Sequence, residues 1–236
     1  MLNASLLVSL KNTGEVLRTT MQVLHATHRG QFSKEVADRF LVEWQQRTLG
    51  HTAPNITVEG SLDTSRSYIV MSNHQSLYDM LILYSVLGPS FRVVAKQELF
   101  RVPFWGRALR EGGYIEIDRT SLDSARESYA QARKALEGGV SIWVSPEGTR
   151  SKDRALLPFK MGGFHLALDT GWPILPISLA HPHDILPSGT CGTVRGVDIK
   201  VTLHAPIWPA AYGGNTKESR LALAEAVRAS IASGLI

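Results

Sequence analysis

The sequence predicts an α/β fold with a largely parallel mixed sheet flanked by helices, preceded by a pair of amphipathic helices. Two patterns support this prediction. From residue 55 onward, short apolar runs that are typical of buried strands alternate with longer segments of helical periodicity. Polar side chains also follow several apolar runs directly, at the strand ends where open α/β sheets bind ligands. The 236 residues, 44% of them hydrophobic, are enough to build one such core.

Residues 1–50 are expected to form the helix pair. In the first helix, apolar residues recur at helical spacing, at Leu6, Leu10, Leu17, Met21 and Leu24. The second helix has Ser33 as a suitable N-cap, ends near Gly50 and carries an apolar face of Val36, Phe40, Leu41 and Trp44. Such faces either pack on the protein's own core or lie in a membrane interface, and the pattern alone favours packing on the core.

Residues 51–236 are expected to form the α/β domain. Each predicted strand is a short apolar run, at 56–59, 68–71, 91–95, 114–117, 140–144, 174–179 and 197–203. The predicted helices of the domain are at 76–86, 121–137, 159–169 and 217–233. The pair Gly138-Gly139 is a typical C-cap and ends the second of these helices. Because strands alternate with helices, we expect most strands to pair in parallel.

Composition limits the partners and the compartment. The formal charge of +4 is a mild excess, compatible with anionic membranes or phosphate substrates and equally with an ordinary soluble protein. Basic residues are interleaved with acidic ones, which argues against nucleic acid as a partner. The single cysteine, Cys191, excludes an intramolecular disulfide and a cysteine-rich zinc site, and it favours a reducing compartment.

The sequence also predicts neither a signal peptide nor a transmembrane span. The N-terminus lacks the basic segment with which signal peptides begin. The longest apolar run, residues 80–87, is far shorter than the ~20 residues that a helix needs to cross a bilayer.

The stretch from His74 to Asp79 lies between the predicted strand 68–71 and the helix that follows it. A histidine and an aspartate thus stand together at a strand-to-helix junction, where backbone N–H groups are unpaired. Residues i and i+5 lie about 140° apart on an ideal helix. The two side chains therefore meet only if His74 precedes the helix or lies in its first turn, and if Asp79 reaches back to its ring.

Further polar residues follow three other predicted strands. Lys96 follows strand 91–95, Arg119 follows strand 114–117 and Glu147 follows strand 140–144. Gly148 permits close backbone approach, and Thr149 and Arg150 supply donors suited to a phosphate or a carboxylate, although an ordinary turn with a solvated arginine is the alternative. The carboxyl ends of parallel strands share one edge of a sheet. We therefore expect a convergence there of His74, Asp79, Lys96, Arg119, Glu147 and Arg150.

This set of residue types is suited to acyl transfer from an activated thioester to an alcohol. A neutral histidine takes the hydroxyl proton, and a carboxylate on its other nitrogen fixes the tautomer and stabilises the imidazolium. N–H groups at a helix N-terminus are expected to stabilise the oxyanion, and lysine and arginine to hold an anionic substrate. No protein nucleophile is needed and none is evident, because Gly-x-Ser-x-Gly is absent and Cys191 has no assigned base. We interpret His181, His183 and Asp184 as loop residues rather than as metal ligands.

Four motifs resemble those of the glycerolipid acyltransferase family. His74–Asp79 reproduces the His-x4-Asp box of that family. The other matching segments are 96–99 with Pro103, Gly106 and 117–119, then 146–151, and then 174–178. One box would be weak evidence, whereas four in the same order and separation, over residues 55–205, are specific.

The resemblance implies roles for individual residues. His74 is expected to be the general base and Asp79 its orienting partner. Lys96 and Arg150 are expected to bind the phosphate of the acceptor, with Arg119 nearby. Glu147, Gly148 and Thr149 are expected to shape that site. No metal and no cofactor is implied beyond the co-substrate, which is acyl-CoA or acyl-acyl carrier protein.

The resemblance also implies a reaction and a place in the cell. The expected reaction acylates lysophosphatidic acid to phosphatidic acid in phospholipid synthesis. Another lysolipid acceptor, such as a lyso-ornithine lipid, is the alternative, since Ser145 stands where the family usually has a large apolar residue. Because the family tends to open with two membrane-associating helices, residues 1–50 are expected to dock peripherally on the cytoplasmic side of a membrane. The rival functions are a non-catalytic lipid- or carrier-binding protein and a thioester hydrolase.

Overall fold

The computed structural model describes residues 4–117, 122–187, 190 and 192–235 of the chain. The strands in these ranges are β1 (Asn55–Glu59), β2 (Ile69–Ser72), β3 (Phe91–Lys96), β4 (Ile115–Ile117), β5 (Ser141–Val144), β6 (Ile174–Ala180) and β7 (Asp198–Leu203). The helices are α1 (Ala4–His28), α2 (Lys34–Thr52), α3 (Asp79–Leu87), α4 (Gln97–Phe100), α5 (Trp105–Glu111), α6 (Leu122–Glu137), α7 (Gly162–Thr170), α8 (Pro182–Ile185) and α9 (Lys217–Ser233).

The strands form one sheet in the order β1-β7-β6-β2-β5-β3-β4. All pairs are parallel except β6 with β7, which is antiparallel. The predicted fold class and the seven predicted strands are therefore confirmed, with ends shifted by one residue at most. Strands β2, β5 and β3 are neighbours, so their carboxyl ends lie side by side.

The sequence did not predict α4, α5 or α8. These helices span four, seven and four residues. Because hydrophobic periodicity becomes visible only over about three turns, such short helices are lost in a pattern search. Helices α4 and α5 form the connection between the parallel strands β3 and β4, and α4 begins directly after Lys96 at the end of β3.

Both faces of the sheet are covered. On one face, α2 and α3 pack with β2, β3 and β5 around buried side chains such as Leu81, Ile82 and Phe91. On the other face, α6, α7 and α9 enclose a second cluster that includes Ile69, Ile142 and Phe164. The central strand β2 is buried on both faces, as expected for a parallel sheet between helix layers.

The two N-terminal helices differ in where their apolar side chains lie. In α2, Leu41 and Leu49 are buried in the first core cluster, so this helix packs on the protein itself. In α1, the predicted stripe points outward instead, with Leu17 and Met21 63% and 61% exposed. The interpretation that the stripe packs on the core is therefore wrong for α1. The domain boundary expected at residue 50 stays a prediction. Helix α2 continues past it to Thr52, and its buried side chains belong to the first core cluster.

Within the described ranges, none of the helices combines the length and the apolar character that crossing a membrane requires.

Candidate active site

His74 and Asp79 meet as predicted. His74 lies in the loop after β2, and Asp79 is the first residue of α3. The Asp79 Oδ2 atom lies 2.7 Å from His74 Nδ1 and accepts hydrogen bonds from the backbone N–H groups of Gln75, at 2.8 Å, and Ser76, at 3.0 Å. Because a carboxylate only accepts, Nδ1 carries the ring proton and Nε2 is left as the basic nitrogen.

The two groups differ sharply in exposure. The side chain of Asp79 is fully buried, whereas that of His74 is 21% exposed. A buried carboxylate with fixed donors holds its geometry, while the histidine edge remains within reach of a substrate. This is the arrangement that general base catalysis on a hydroxyl group requires.

Trp143 on β5 supports the His74 ring and was not singled out from the sequence. The two rings meet edge to face, with centroids 5.4 Å apart and planes at 85°. The Trp143 indole donates to Ser72 Oγ over 2.9 Å, which fixes the tryptophan itself. Trp143 is one apolar residue in a run of them, so only the pairing of β5 with β2, in which it lies opposite Val70, reveals that it is close to the His74 ring.

Glu147 joins the loops that follow β2 and β5. Its Oε1 accepts from the backbone N–H of His74 at 2.7 Å, and its Oε2 accepts from that of Leu157 at 2.8 Å. Burial raises the pKa of Glu147, while these two hydrogen bonds lower it. A third contact, from the N–H of Ser151 to the His74 carbonyl over 2.8 Å, closes the same junction. Glu147 therefore holds the His74 loop against the loop that follows β5.

The predicted anion-binding residues lie at neighbouring strand ends. Lys96 is the last residue of β3 and is exposed, and Thr149 and Arg150 lie in the loop after β5, beyond Gly148 with its positive φ of 69°. Neither the Lys96 ammonium nor the Arg150 guanidinium forms a hydrogen bond or an ion pair with another residue that the structure describes, although the Lys96 backbone pairs with Ile117 of β4. Arg119 lies outside the described residues. The structure therefore brings His74, Asp79 and Glu147 into contact and leaves the two cations at the same edge, available to an anion.

Three N–H groups that precede α3 are already used within the turn. Those of Gln75 and Ser76 donate to Asp79, and that of Tyr78 donates to Ser76 Oγ at 3.3 Å. These donors hold the shape of the turn and are not available to an oxyanion. The expectation that N–H groups of the helix N-terminus stabilise the oxyanion stays a prediction.

An apolar cavity adjoins the catalytic turn. It measures about 670 Å³ and lies between α1, α2 and α5 on one side and the start of α3 with β3 on the other. Leu77, Tyr78, Met80 and Leu81 form the wall nearest His74 and Asp79. The volume is within the ordinary range of ligand sites, ~300–1,000 Å³. No local sequence pattern indicated this cavity, because its walls come from segments far apart in the chain.

Comparisons with known proteins agree with this geometry. The acyltransferase family model matches residues 55–180. A chloroplastic 1-acyl-sn-glycerol-3-phosphate acyltransferase of Brassica napus is 35% identical over 167 residues, which are 71% of this chain and 48% of the relative. The enzyme of that name from Haemophilus influenzae is 39% identical over 117 residues, 49% of each chain. The chain thus spans about half the length of the curated relatives it matches.

A solved structure is similar over nearly the whole chain. The crystal structure of the 1-acyl-sn-glycerophosphate (LPA) acyltransferase from Thermotoga maritima superposes with a TM-score of 0.68 at 26% sequence identity, covering 94% of this chain and 97% of that one.

Proposed function

The chain belongs to the acyltransferase family, and on that premise we propose that it is an enzyme that acylates lysophosphatidic acid to phosphatidic acid. The acyl group comes from a thioester, either acyl-CoA or acyl-acyl carrier protein. The observation that carries the proposal is the hydrogen-bonded His74–Asp79 pair beside an apolar cavity. Lys96 and Arg150 follow neighbouring strands at the same edge of the sheet. The names of the similar proteins support the choice of acceptor.

The His74 ring acts as the base in this proposal. Its Nε2 atom takes the proton of the acceptor hydroxyl as that oxygen attacks the thioester carbonyl, and Asp79 stabilises the imidazolium that forms. The tetrahedral intermediate then collapses, the C–S bond breaks, and the departing thiolate takes the proton back from His74. The products are an ester and a free thiol, and no metal, cofactor or protein nucleophile takes part.

Lys96 and Arg150 hold the acceptor's phosphate in this proposal. Arg150→Ala is expected to raise the KM for lysophosphatidic acid by roughly 10- to 100-fold, the range for losing a hydrogen bond to a charged group. The kcat value should change much less, since the contact is made in the ground state and the transition state alike. Initial rates at varied acceptor concentration measure both constants. An unchanged KM would remove Arg150 from the phosphate site.

Arg133→Ala is the matched control for that experiment. Arg133 is 61% exposed on α6 and pairs with Glu137 over 2.9 Å. Loss of such a surface pair changes stability little, and KM should stay at the wild-type value.

The apolar cavity takes the fatty acyl chain in this proposal. Ala108 on α5 lines it, so Ala108→Phe is expected to fill part of the volume and to lower kcat/KM for palmitoyl donors more than for lauroyl donors. The ratio of the two kcat/KM values is the measurement. Ala222→Phe, at an exposed position on α9, is the control and should leave the ratio unchanged. An unaltered ratio in the Ala108 variant would place the acyl chain elsewhere.

The outer face of α1 docks on the cytoplasmic side of a membrane in this proposal. Its exposed Leu6, Leu10, Leu17 and Met21 form a row of large apolar side chains facing away from the core. A row of this kind is suited to a membrane interface, where the apolar face of a helix is buried among acyl chains. Leu6 and Leu10 also line the cavity, so a chain moving out of the bilayer has a short apolar path to it.

Thiol release tests the whole proposal. Palmitoyl-CoA and palmitoyl-acyl carrier protein are each incubated with the protein and a panel of lysolipids that includes lysophosphatidic acid and a lyso-ornithine lipid. Release that depends on lysophosphatidic acid supports the proposal and identifies the donor. Release that depends on another lysolipid moves the assignment to that acceptor. Release that no lysolipid accelerates identifies a hydrolase, and absence of release with bound lipid identifies a binding protein.

A further inference from the structure

Helix α1 is joined to the rest of the protein by polar as well as apolar contacts. The apolar side chains that it buries are small or medium in size, at Val8, Val23 and Ala26. Its polar contacts join Ser5 to Thr193, Asn12 to Tyr78 and His51, and Glu15 to Arg47. Directional hydrogen bonds allow fewer relative positions than apolar contacts do, so a polar contact that reaches the turn before α3 links the position of α1 to it.

Asn12 connects three elements at once. Its Nδ2 donates to the hydroxyl of Tyr78, which lies in the turn before α3, and its Oδ1 lies 2.7 Å from Nδ1 of His51 on α2. Asn12 and Tyr78 both line the apolar cavity. A polar group in such surroundings costs free energy unless it is hydrogen-bonded, and here both ends of the amide are satisfied. The contact is therefore specific for one arrangement of the three elements.

Tyr78 carries this contact into the catalytic turn. The residue is only 3% exposed, and burial raises the pKa of its hydroxyl to about 12. Tyr78 is bonded in sequence to Asp79, so one rigid turn directs its ring to the helix pair and the next side chain to His74. Asp79 Oδ2 also holds the N–H groups of Gln75 and Ser76. Because the turn is held internally, a displacement of Tyr78 displaces Asp79 as well.

We propose that Asn12 is a positioning residue, whose hydrogen bonds to Tyr78 and His51 transmit the placement of the helix pair to the His74–Asp79 turn. The kinetic part of this inference rests on the proposed acyl transfer, while the structural part does not. Because the position of α1 is coupled to the turn in this proposal, turnover depends on how the helix pair is docked.

A double-mutant cycle separates positioning from simple stabilisation. Asn12→Leu leaves His51 Nδ1 without its partner and the Tyr78 hydroxyl with Thr52 alone, and Tyr78→Phe leaves the Asn12 amide without its acceptor, so each variant should unfold at a lower temperature and lose about 10-fold or more in kcat. The combined variant has lost both the amide and the hydroxyl, and only His51 Nδ1 lacks its partner, so its unfolding temperature should recover in part. Its kcat should remain as low as that of the single variants, because the link between α1 and the turn is still absent.

Amide hydrogen exchange at Gln75 and Ser76 gives a readout that does not depend on activity. Exchange at these two N–H groups should be faster in the combined variant than in the wild type, although its unfolding temperature is partly restored. Glu15→Ala is the matched control: it removes a polar contact between α1 and α2 that does not reach the turn, and it should alter neither kcat nor exchange at residues 75 and 76.

Recovery of both kcat and exchange protection together with stability in the combined variant would overturn the inference. If the wild type releases no thiol with any donor and acceptor, the proposed function fails, and amide exchange alone then decides the role of Asn12.

Discussion

His74→Ala is expected to lower kcat by about 10²- to 10⁴-fold, the contribution of a well-placed general base. The variant keeps the cavity and both cations, so the KM values for donor and acceptor should change little. Thiol release from palmitoyl-CoA in the presence of lysophosphatidic acid measures the loss. A variant that turns over at nearly the wild-type rate would end the mechanism proposed for this site.

His165→Ala is the control for that result. His165 lies on α7, where its Nδ1 is close to Asn215 and to Asp169, and it makes no contact with the loop after β2 among the described residues. Its side chain is 42% exposed, against 21% for His74, and its substitution removes a histidine without touching the site, so kcat should stay at the wild-type value. A loss in both variants would point to an unspecific effect on folding.

Asp79→Asn is expected to lower kcat by roughly 10³- to 10⁴-fold, as the equivalent change does in triad enzymes. An amide does not stabilise the imidazolium, and its N–H₂ group favours the wrong histidine tautomer. The substitution also weakens the acceptor for the N–H groups of Gln75 and Ser76, so a lower unfolding temperature should accompany the kinetic loss.

Comparison with Ser76→Ala separates the two effects of the Asp79 change. Ser76 Oγ accepts from the N–H of Tyr78 at 3.3 Å, so its removal loosens the same turn without altering the charge on Asp79. If Ser76→Ala lowers the unfolding temperature as much as Asp79→Asn and lowers kcat as much too, the role of Asp79 is structural. A much smaller loss of kcat would support its action on the His74 ring.

Much of the fold followed from local patterns. The strand positions could be predicted because buried parallel strands are short apolar runs, and β2 and β6 are among the most deeply buried segments of the chain. The meeting of His74 and Asp79 could also be predicted, since five positions separate them and a loop-to-helix junction offers few geometries. The two cations at neighbouring strand ends followed from the rule on parallel sheets.

The sequence was a poorer guide to features that depend on packing between distant segments of the chain. The apolar stripe of α1 has the same spacing as a core-facing stripe, so periodicity alone favoured the core, whereas the family resemblance favoured a membrane-facing helix. In the structure the stripe is exposed. Glu147 was expected to shape the substrate site, which stays a prediction, but the sequence did not indicate that its carboxylate holds two backbone N–H groups. Trp143 gave no signal at all, because an apolar residue on a buried strand is ordinary.

The sequence by itself determined which residues are able to carry the chemistry. The His-x4-Asp spacing, the strand preceding it and the basic residues after β3 and β5 are all local features, and each could be identified without knowledge of the fold. The tertiary structure alone decided how those residues are held and what lies beside them. The cavity, the support of His74 by Trp143 and Glu147, and the link from Asn12 to Tyr78 each join segments tens of residues apart. Such contacts depend on packing geometry, which no local pattern encodes.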